Sequence, residues 1–218
     1  MFKKGIILYQ KRDNMLTKNQ IEVLNLFRKE VFLKASILKI KKKLKKGSYQ
    51  RVYEAVKSLE KDGVLKGEEA GKSSQISINL SQKSIFQLAF LEEHEAIERK
   101  IPNYDKITGI KEISNYLTIV AGSYAKGTAK KSSDLDLVII MPDDRDIMKV
   151  SKIVENITLL YIPKIHLYVF NNRNFVDMLL NKEESYGKEI FRNHLILKNA
   201  HIYYELLKEA IERGFRGC

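Results

Sequence analysis

Residues 119–140 read IVAGSYAKGTAKKSSDLDLVII, and this stretch decides how the second half of the chain folds. An apolar run breaks at Gly122 and Ser123, and a small, polar, basic loop follows. The loop ends at two carboxylates, Asp134 and Asp136, beside a second apolar run. Short apolar runs bounded by turn residues are typical of buried strands. The pattern therefore predicts two strands joined by a loop that carries the polar groups.

The two carboxylates have a spacing suited to a metal ion. Successive side chains of a strand point to opposite faces, so Asp134 and Asp136 lie on the same side. Such a pair can chelate a hard divalent cation such as Mg²⁺. Gly122 tolerates unusual backbone angles and lets a bulky anion approach the main chain, while Ser123 and nearby N–H groups can hold a phosphate. These parts together predict a site for a metal-bound polyphosphate.

The same residues resemble the signature of the nucleotidyltransferase fold, which DNA polymerase beta shares with the minimal nucleotidyltransferases. Small residues of the spacer between Gly-Ser and the paired Asp also match it: Ala125, Gly127, Thr128 and Ser133. The resemblance implies that Gly122, Ser123 and Ser133 bind ATP or another nucleoside triphosphate. It also implies that Asp134 and Asp136 are catalytic ligands of Mg²⁺. The alternative is a strand that follows a solvated acidic turn.

The third carboxylate of that family sits on a following strand, and here the sequence departs from the pattern. The next predicted strand is Lys164 to Phe170, KIHLYVF, which contains no Asp or Glu and has His166 at the matching position. A third carboxylate commonly shares a metal and helps to activate the attacking hydroxyl. His166 could instead act as a catalytic base, as a weaker ligand, or as a structural residue.

The charge of the chain favours an anionic partner. It carries 39 Lys and Arg against 27 Asp and Glu, and residues 1–82 hold 19 of the basic and 8 of the acidic side chains. The single cysteine, Cys218, fits a reducing cytoplasm. No apolar run is long enough to span a membrane, so no membrane partner is expected. Met15 precedes a good helix start, so translation could begin at Met1 or at Met15.

The basic N-terminal part shows three helical patterns and a hairpin pattern. The helices are predicted over 18–29, over 32–44 and after the N-cap Ser48. Val64 to Lys66 is predicted to pair with Gln75 to Leu80 around a polar tip. This order resembles the winged helix-turn-helix of prokaryotic regulators over residues 15–82.

In a winged helix the third helix enters the major groove of DNA, and the wing touches phosphate. Gln and Arg side chains can read base edges, Tyr can bond a phosphate, and Lys supplies attraction that is independent of sequence. An alternative is a winged helix used for protein contact or dimerisation. The DNA-binding residues that the resemblance implies are Lys45, Lys46, Ser48, Tyr49, Gln50, Arg51, Tyr53 and Lys72.

The remaining segments are predicted to be mostly helical. A helix over 84–101 joins the domains or forms a dimer contact, and another over 104–115 leads into the quoted stretch. Asp143 and Asp144 are predicted to cap a helix that ends near Asn156. The last third of the chain is predicted to consist of helices.

The predicted fold class is α+β. A winged helix-turn-helix (15–82) and a linker helix (83–103) precede a nucleotidyltransferase-fold α/β domain (104–218) with a small mixed sheet and C-terminal helices. The resemblance implies Mg²⁺-dependent transfer of a nucleoside monophosphate, most simply AMP from ATP, to an unknown acceptor. The alternatives are an inactive, nucleotide-sensing DNA-binding regulator and an antitoxin bound to a toxin partner. A homodimer is the default expectation for a DNA-reading winged helix.

Overall fold

The computed structural model describes residues 16–45, 47–71 and 73–217, which form two compact units that meet in sequence between Ser81 and Gln82. Predictions that concern Met15, Lys46, Lys72 and Cys218 lie outside the described residues. No helix among the described residues is both long enough and apolar enough to cross a membrane.

The first unit contains three helices followed by an antiparallel hairpin. Side-chain oxygens of Thr17, Ser36 and Ser48 accept hydrogen bonds from the first turns of the three helices, which explains where each helix begins. Its elements are α1 (Lys18–Lys29), α2 (Ile37–Leu44), α3 (Tyr49–Lys61), β1 (Leu65–Ala70) and β2 (Ser73–Ile78).

Two boundaries in this unit differ from the sequence predictions. The second helix begins at Ile37 and not at residue 32, because Ser36 caps it and the backbone of Ala35 pairs with Ile76. The hairpin strands are longer than predicted, since their pairing continues from Leu65 opposite Ile78 to the turn. The predicted polar tip therefore contributes most of its residues to the strands.

Buried apolar side chains hold the first unit together. Its largest fully buried side chains come from all three helices and from the hairpin, among them Phe27, Ile40, Leu59 and Ile76. Burial of one such side chain contributes about 1.5–3 kcal/mol to the free energy of unfolding. The helical spacing of these residues explains why the three helices were predictable.

The second unit is built around a four-stranded mixed sheet. Helices precede the sheet, separate most of its strands and form the C-terminal end. Its elements are α4 (Gln82–Glu98), α5 (Tyr104–Thr108), a 3₁₀ turn (Lys111–Ile113), β3 (Leu117–Val120), α6 (Gly122–Lys126), β4 (Leu135–Met141), α7 (Ile147–Thr158), β5 (Ile165–Asn171), α8 (Asn172–Leu180), α9 (Tyr186–Arg192), β6 (Leu195–Lys198) and α10 (Ala200–Glu212).

The strand order is β5-β4-β3-β6. β3 pairs antiparallel with β4 and with β6, whereas β4 and β5 are parallel and α7 makes the crossover between them. The mixed sheet is the one that the resemblance implied. The prediction of an entirely helical last third is wrong, because β6, the apolar run LILK, completes the sheet beside β3.

The two faces of β4 have different surroundings. Leu135 and Leu137 pack in a cluster with Ile101 and Ile107, and Ile139 packs with Val154 of α7. Asp136 lies between these residues in sequence and therefore projects from the opposite face of the sheet. The same alternation that buries the leucines thus keeps this carboxylate out of their core.

The helix predicted as a linker packs within the second unit. In α4, Leu88 is fully buried and the carboxylate of Glu92 is nearly so. The hydroxyl of Tyr204 donates to Oε1 of Glu92 at 2.7 Å, and the backbone N–H of Ala200 donates to Oε1 of Glu93 at 2.9 Å. These contacts tie α4 to α10.

Two further helices of the second unit start or stop elsewhere than predicted. α7 begins at Ile147 because the carboxylate of Asp146 caps it, so Asp143 and Asp144 are not its caps. Oδ1 of Asp143 instead accepts a hydrogen bond from the backbone N–H of Arg173 in α8. The predicted helix over 104–115 ends at Thr108 and resumes only as the 3₁₀ turn.

Candidate active site

The end of β3 brings Gly122 against Asp136. The backbone N–H of Ala121 donates to the carbonyl oxygen of Asp136 at 2.9 Å, which fixes the two strands at this point. Gly122 has a φ of +60°, and a Cβ placed on it would lie 1.9 Å from Oδ2 of Asp136. Only glycine fits here, both because of the backbone angle and because of the carboxylate.

The two predicted metal ligands lie at the start of β4. Asp134 is exposed and directly precedes the strand, while Asp136 is its second residue and its side chain is 25% exposed. Both carboxylates can therefore meet a ligand from solvent. The sequence prediction that both carboxylates lie on one side rests on strand alternation, and Asp134 stands just before β4.

His166 is the direct neighbour of Asp136 on β5. The two residues are paired in the parallel register of β4 and β5, and Nδ1 of His166 lies 3.4 Å from Oδ1 of Asp136. The imidazole is 60% exposed, so its other nitrogen can reach a bound molecule. The structure thus brings Gly122, Asp136 and His166 together.

Two tyrosines that the sequence analysis did not single out complete this group. The hydroxyl of Tyr168 lies 3.2 Å from Nδ1 of His166, and the ring of Tyr168 lies between those of His166 and Tyr186 at centroid distances of 4.6 and 4.7 Å. Burial, and then the negative charge of Asp136, raises the pKa of both phenols. Both hydroxyls therefore stay protonated at neutral pH.

The alternation of β5 could have revealed Tyr168, because residues 166, 168 and 170 share one face of a strand. Tyr186 comes from α9, and nothing in its sequence surroundings indicated that it would reach this site.

The loop between the strands is braced by its own hydrogen bonds. The backbone N–H of Thr128 donates to the carbonyl oxygen of Ser123 at 2.9 Å. The hydroxyl of Ser133 accepts from the backbone N–H of Lys130 at 2.9 Å, which closes a turn just before Asp134. Ser133 thus has a structural contact, whereas the side chain of Ser123 sits on the first turn of α6 beside Gly122.

An open cleft of about 450 Å³ lies beside this group. Nζ of Lys126, at the end of α6, bonds Oε1 of Glu189 at 2.8 Å across the cleft, and Arg192 forms an ion pair with Glu184. Tyr186 lines the cleft and packs against Tyr168, whose ring in turn packs against His166. The lining residues are Lys126, Glu184, Ser185, Tyr186, Glu189, Arg192 and Asn193.

The carboxylates at the start of β4 are the candidate ligands of a Mg²⁺ ion. Within the described ranges, no group of three or more His, Cys, Asp and Glu side chains is arranged to hold a metal ion. Mg²⁺ usually keeps several waters and is bound by one or two carboxylates together with substrate phosphates. Asp134 and Asp136 are the two carboxylates at the start of β4, and the absence of a Cβ on Gly122 is what allows its backbone to approach the second of them.

The residues predicted to bind DNA cluster at the start of α3. Ser48 caps the helix, and the rings of Tyr49 and Tyr53 stack with centroids 6.2 Å apart. The side-chain amide of Gln50 donates to Oε1 of Glu54 at 2.8 Å, so part of its bonding capacity is already used. Arg51 is exposed, as is Lys45 just after α2.

Comparison with known proteins supports the reading of the second unit. Residues 106–197, from within α5 to within β6, match the family model described as the nucleotidyltransferase domain. The match supports a nucleotidyltransferase fold and a general role in nucleotidyl transfer. The matched segment includes the candidate site residues Gly122, Ser123, Asp134, Asp136 and His166. No curated protein and no solved structure gives a significant match to the chain.

Proposed function

We propose that the second unit transfers a nucleoside monophosphate, most simply AMP from ATP, to an acceptor hydroxyl with the help of Mg²⁺. The observation that carries this proposal is the contact of Gly122 with Asp136 inside the segment that matches the nucleotidyltransferase family. A side chain at position 122 would collide with this carboxylate, so the backbone of Gly122 lies directly beside Asp136. Mg²⁺ bound by Asp134 and Asp136 supplies charge neutralisation for the triphosphate and its leaving pyrophosphate.

The chain's own groups have separate roles in this reaction. The backbone at Gly122 and the hydroxyl of Ser123 orient the triphosphate. The acceptor oxygen attacks the α-phosphorus, the bond from that phosphorus to the bridging oxygen breaks, and pyrophosphate leaves with the bonding electrons. The proton of the acceptor hydroxyl goes to Nε2 of His166.

The neighbours of His166 favour this proton transfer. The carboxylate of Asp136 lies 3.4 Å from Nδ1 of His166. Its negative charge favours the tautomer in which Nδ1 carries the proton. Nε2 then keeps its lone pair and can accept a proton. The hydroxyl of Tyr168 lies at the same nitrogen, Nδ1, and the ring of Tyr168 packs against the imidazole, which together hold the ring in place. His166 thereby stands in for the third carboxylate of the family.

The proposal is tested with purified protein, Mg²⁺ and α-labelled ATP in a host lysate, followed by separation of labelled protein from labelled RNA. The matched control is the Asp134→Ala, Asp136→Ala double variant, whose folding is checked by circular dichroism. Label transferred by the wild type alone supports the transferase and gives the class of the acceptor. Absence of transfer by a folded wild type that still binds ATP contradicts it for the acceptors present.

We further propose that the first unit is a winged helix that binds DNA through α3. The supporting observations are the three capped helices with a following hairpin and the basic excess of residues 1–82. Arg51 and the stacked pair of Tyr49 and Tyr53 are exposed at the start of the helix. Fold alone does not settle function, so the measurement is binding of duplex DNA by the full chain, as described below.

One observation favours a second function, a DNA-binding regulator that senses a nucleotide without turning it over. β5 has no carboxylate, and His166 occupies the position beside Asp136. A regulator of this kind still binds DNA after Asp134→Ala and Asp136→Ala, and its affinity for DNA changes when ATP is added to the wild type. A transferase instead loses its activity in the same variant.

A further inference from the structure

A row of exposed apolar side chains runs along the outer face of α4, and neither the proposed transfer nor DNA binding uses it. Phe86, Phe90 and Ile97 keep 58, 61 and 56% of their surface exposed. At 3.6 residues per turn, these three residues lie on one side of the helix together with His94. The row formed by Phe86, Phe90, His94 and Ile97 is called the α4 seam below.

The opposite face of α4 is mostly apolar as well, with Ser84 and Glu92 as its buried polar members. Ile85, Leu88, Ala89 and Leu91 are buried within the second unit. A surface helix of a globular protein normally has one apolar stripe and one polar face, and a helix that is apolar on both sides is normally buried on both. The outer face of α4 therefore has the composition of a covered surface.

We propose that the α4 seam is a docking surface for a second copy of this chain, with the two α4 helices antiparallel and crossing at Phe90. The spacing of the seam makes it self-complementary about this residue. Phe90 meets Phe90 of the second copy, Phe86 meets His94, and Ile97 lies near the aliphatic part of Lys83. Every contact is made twice, as twofold symmetry requires.

The end charges of α4 select the antiparallel orientation. Lys83 lies at the N-terminal end of the helix and Glu98 at its C-terminal end, and both are exposed. Antiparallel helices bring the Lys83 of each copy to the Glu98 end of the other. Parallel helices place Lys83 against Lys83 and Glu98 against Glu98, which repel, and they also align the helix dipoles.

The size of the α4 seam fits a dimer of modest affinity. Its apolar residues expose on the order of 300 Å² per copy, since a fully buried aromatic side chain removes 150–250 Å². Two copies thus bury on the order of 600 Å² of apolar surface, and a specific interface needs about 1,000 Å² in total. The ring of His201 in α10, 6.5 Å from that of Phe86, and the charged ends of α4 extend the surface.

Cysteine cross-linking tests the geometry directly. Cys218, the only cysteine of the sequence, is replaced by Ser in every sample. Under mild oxidation Phe90→Cys should form covalent dimers with itself. Phe86→Cys and His94→Cys should cross-link well only when the two variants are mixed, because a disulfide needs Cα atoms within about 7 Å. Phe86→Cys that cross-links with itself as fully as Phe90→Cys does contradicts the antiparallel arrangement.

Sedimentation equilibrium of the full chain tests whether the α4 seam drives association. Phe90→Glu should raise the dimer dissociation constant roughly tenfold or more, because it removes a buried aromatic from both copies. The matched control is Leu160→Glu, since Leu160 is 88% exposed and lies after α7, away from the α4 seam in sequence. This control should dimerise like the wild type.

Two results overturn the proposal. One is a wild type that sediments as a monomer. A slow reaction of the Phe90→Cys thiol with thiol reagents would then show that another part of the same chain covers the α4 seam. The other is a dimer that Leu160→Glu breaks and Phe90→Glu does not, which assigns the interface to the exposed residues after α7.

Discussion

Asp136 and His166 are neighbours on parallel strands, and Nδ1 of the imidazole lies 3.4 Å from Oδ1 of the carboxylate. Gly122 approaches the same carboxylate at its other oxygen, Oδ2. Asp136 therefore lies between Gly122, which is proposed to orient the phosphates, and His166, which is proposed to take the proton of the acceptor. Substitution of Gly122 should therefore affect nucleotide binding, whereas substitution of His166 should affect nucleotidyl transfer.

Replacement of Gly122 should weaken nucleotide binding. In Gly122→Ala the new Cβ would lie 1.9 Å from Oδ2 of Asp136, so the carboxylate or the loop must move. We expect Mg²⁺-dependent ATP affinity, measured by calorimetry, to fall at least tenfold. Gly127→Ala is the matched control, because Gly127 also has a positive φ, +71°, but its Cβ would meet only the end of the Arg99 side chain.

Both alanine variants carry the strain of a left-handed residue, roughly 1–2 kcal/mol of unfolding free energy. Only Gly122→Ala should lose ATP affinity. Equal affinities in the two variants would show that the close approach of Gly122 to Asp136 does not serve the nucleotide.

Removal of the imidazole should slow transfer without weakening nucleotide binding. His166→Ala should lower the transfer rate by roughly 100-fold or more, the typical contribution of a general base, while ATP affinity changes little. Tyr168→Phe removes only the hydroxyl 3.2 Å from Nδ1 and should cost about fivefold, the equivalent of one hydrogen bond of about 1 kcal/mol. Full activity in His166→Ala would exclude the proposed base.

The half-buried phenol of Tyr186 should make the free energy of unfolding depend on alkaline pH. Burial, and then Asp136, raises the pKa of Tyr186 above its ordinary value of 10.0, so the folded state holds this proton more tightly than the unfolded state does. The resulting stabilisation is fully present below about pH 10 and is lost as the pH rises through the folded-state pKa. The free energy of unfolding, measured with urea, should therefore fall less steeply with rising alkaline pH in Tyr186→Phe than in the wild type. Parallel plots of unfolding free energy against pH for the two proteins would show that the pKa of Tyr186 is not raised in the folded state.

The exposed start of α3 should carry the affinity for DNA. Arg51→Ala should weaken binding of the full chain to a mixed-sequence duplex by about 1–3 kcal/mol and lower the slope of affinity against salt concentration by about one counterion. Lys61→Ala, at the other end of the same helix, is the control and should bind like the wild type. Fluorescence anisotropy at several salt concentrations measures both quantities. Equal losses in the two variants would point to general charge attraction.

Much of this molecule was predictable where the pattern of the sequence is local. The caps Thr17 and Ser48, followed by apolar residues at helical spacing, predicted α1 and α3 closely. Gly122-Ser123 and Asp134-x-Asp136 predicted two strands joined by a polar loop. The strands are β3 and β4, but the first five residues of the predicted loop form the short helix α6. The register of β4 and β5 places His166 beside Asp136.

The features that the sequence did not reveal depend on contacts between distant segments. β6 is a run of four residues that could as well continue a helix, and its pairing with β3 decides its conformation. Ala35 leaves the helical conformation because its backbone pairs with Ile76. Tyr186 reaches Tyr168 only through the packing of α9. Local propensity cannot report such long-range partners.

The most direct measurement compares the fate of the two ends of ATP in one reaction. Purified protein, Mg²⁺ and acceptor extract are incubated with α-labelled ATP in one tube and γ-labelled ATP in another, with Asp136→Asn beside each. Nucleotidyl transfer predicts that the α label moves to the acceptor, that the γ label leaves as pyrophosphate, and that Asp136→Asn does neither. Movement of the γ label to the acceptor, or α-label transfer that persists in Asp136→Asn, would contradict the account.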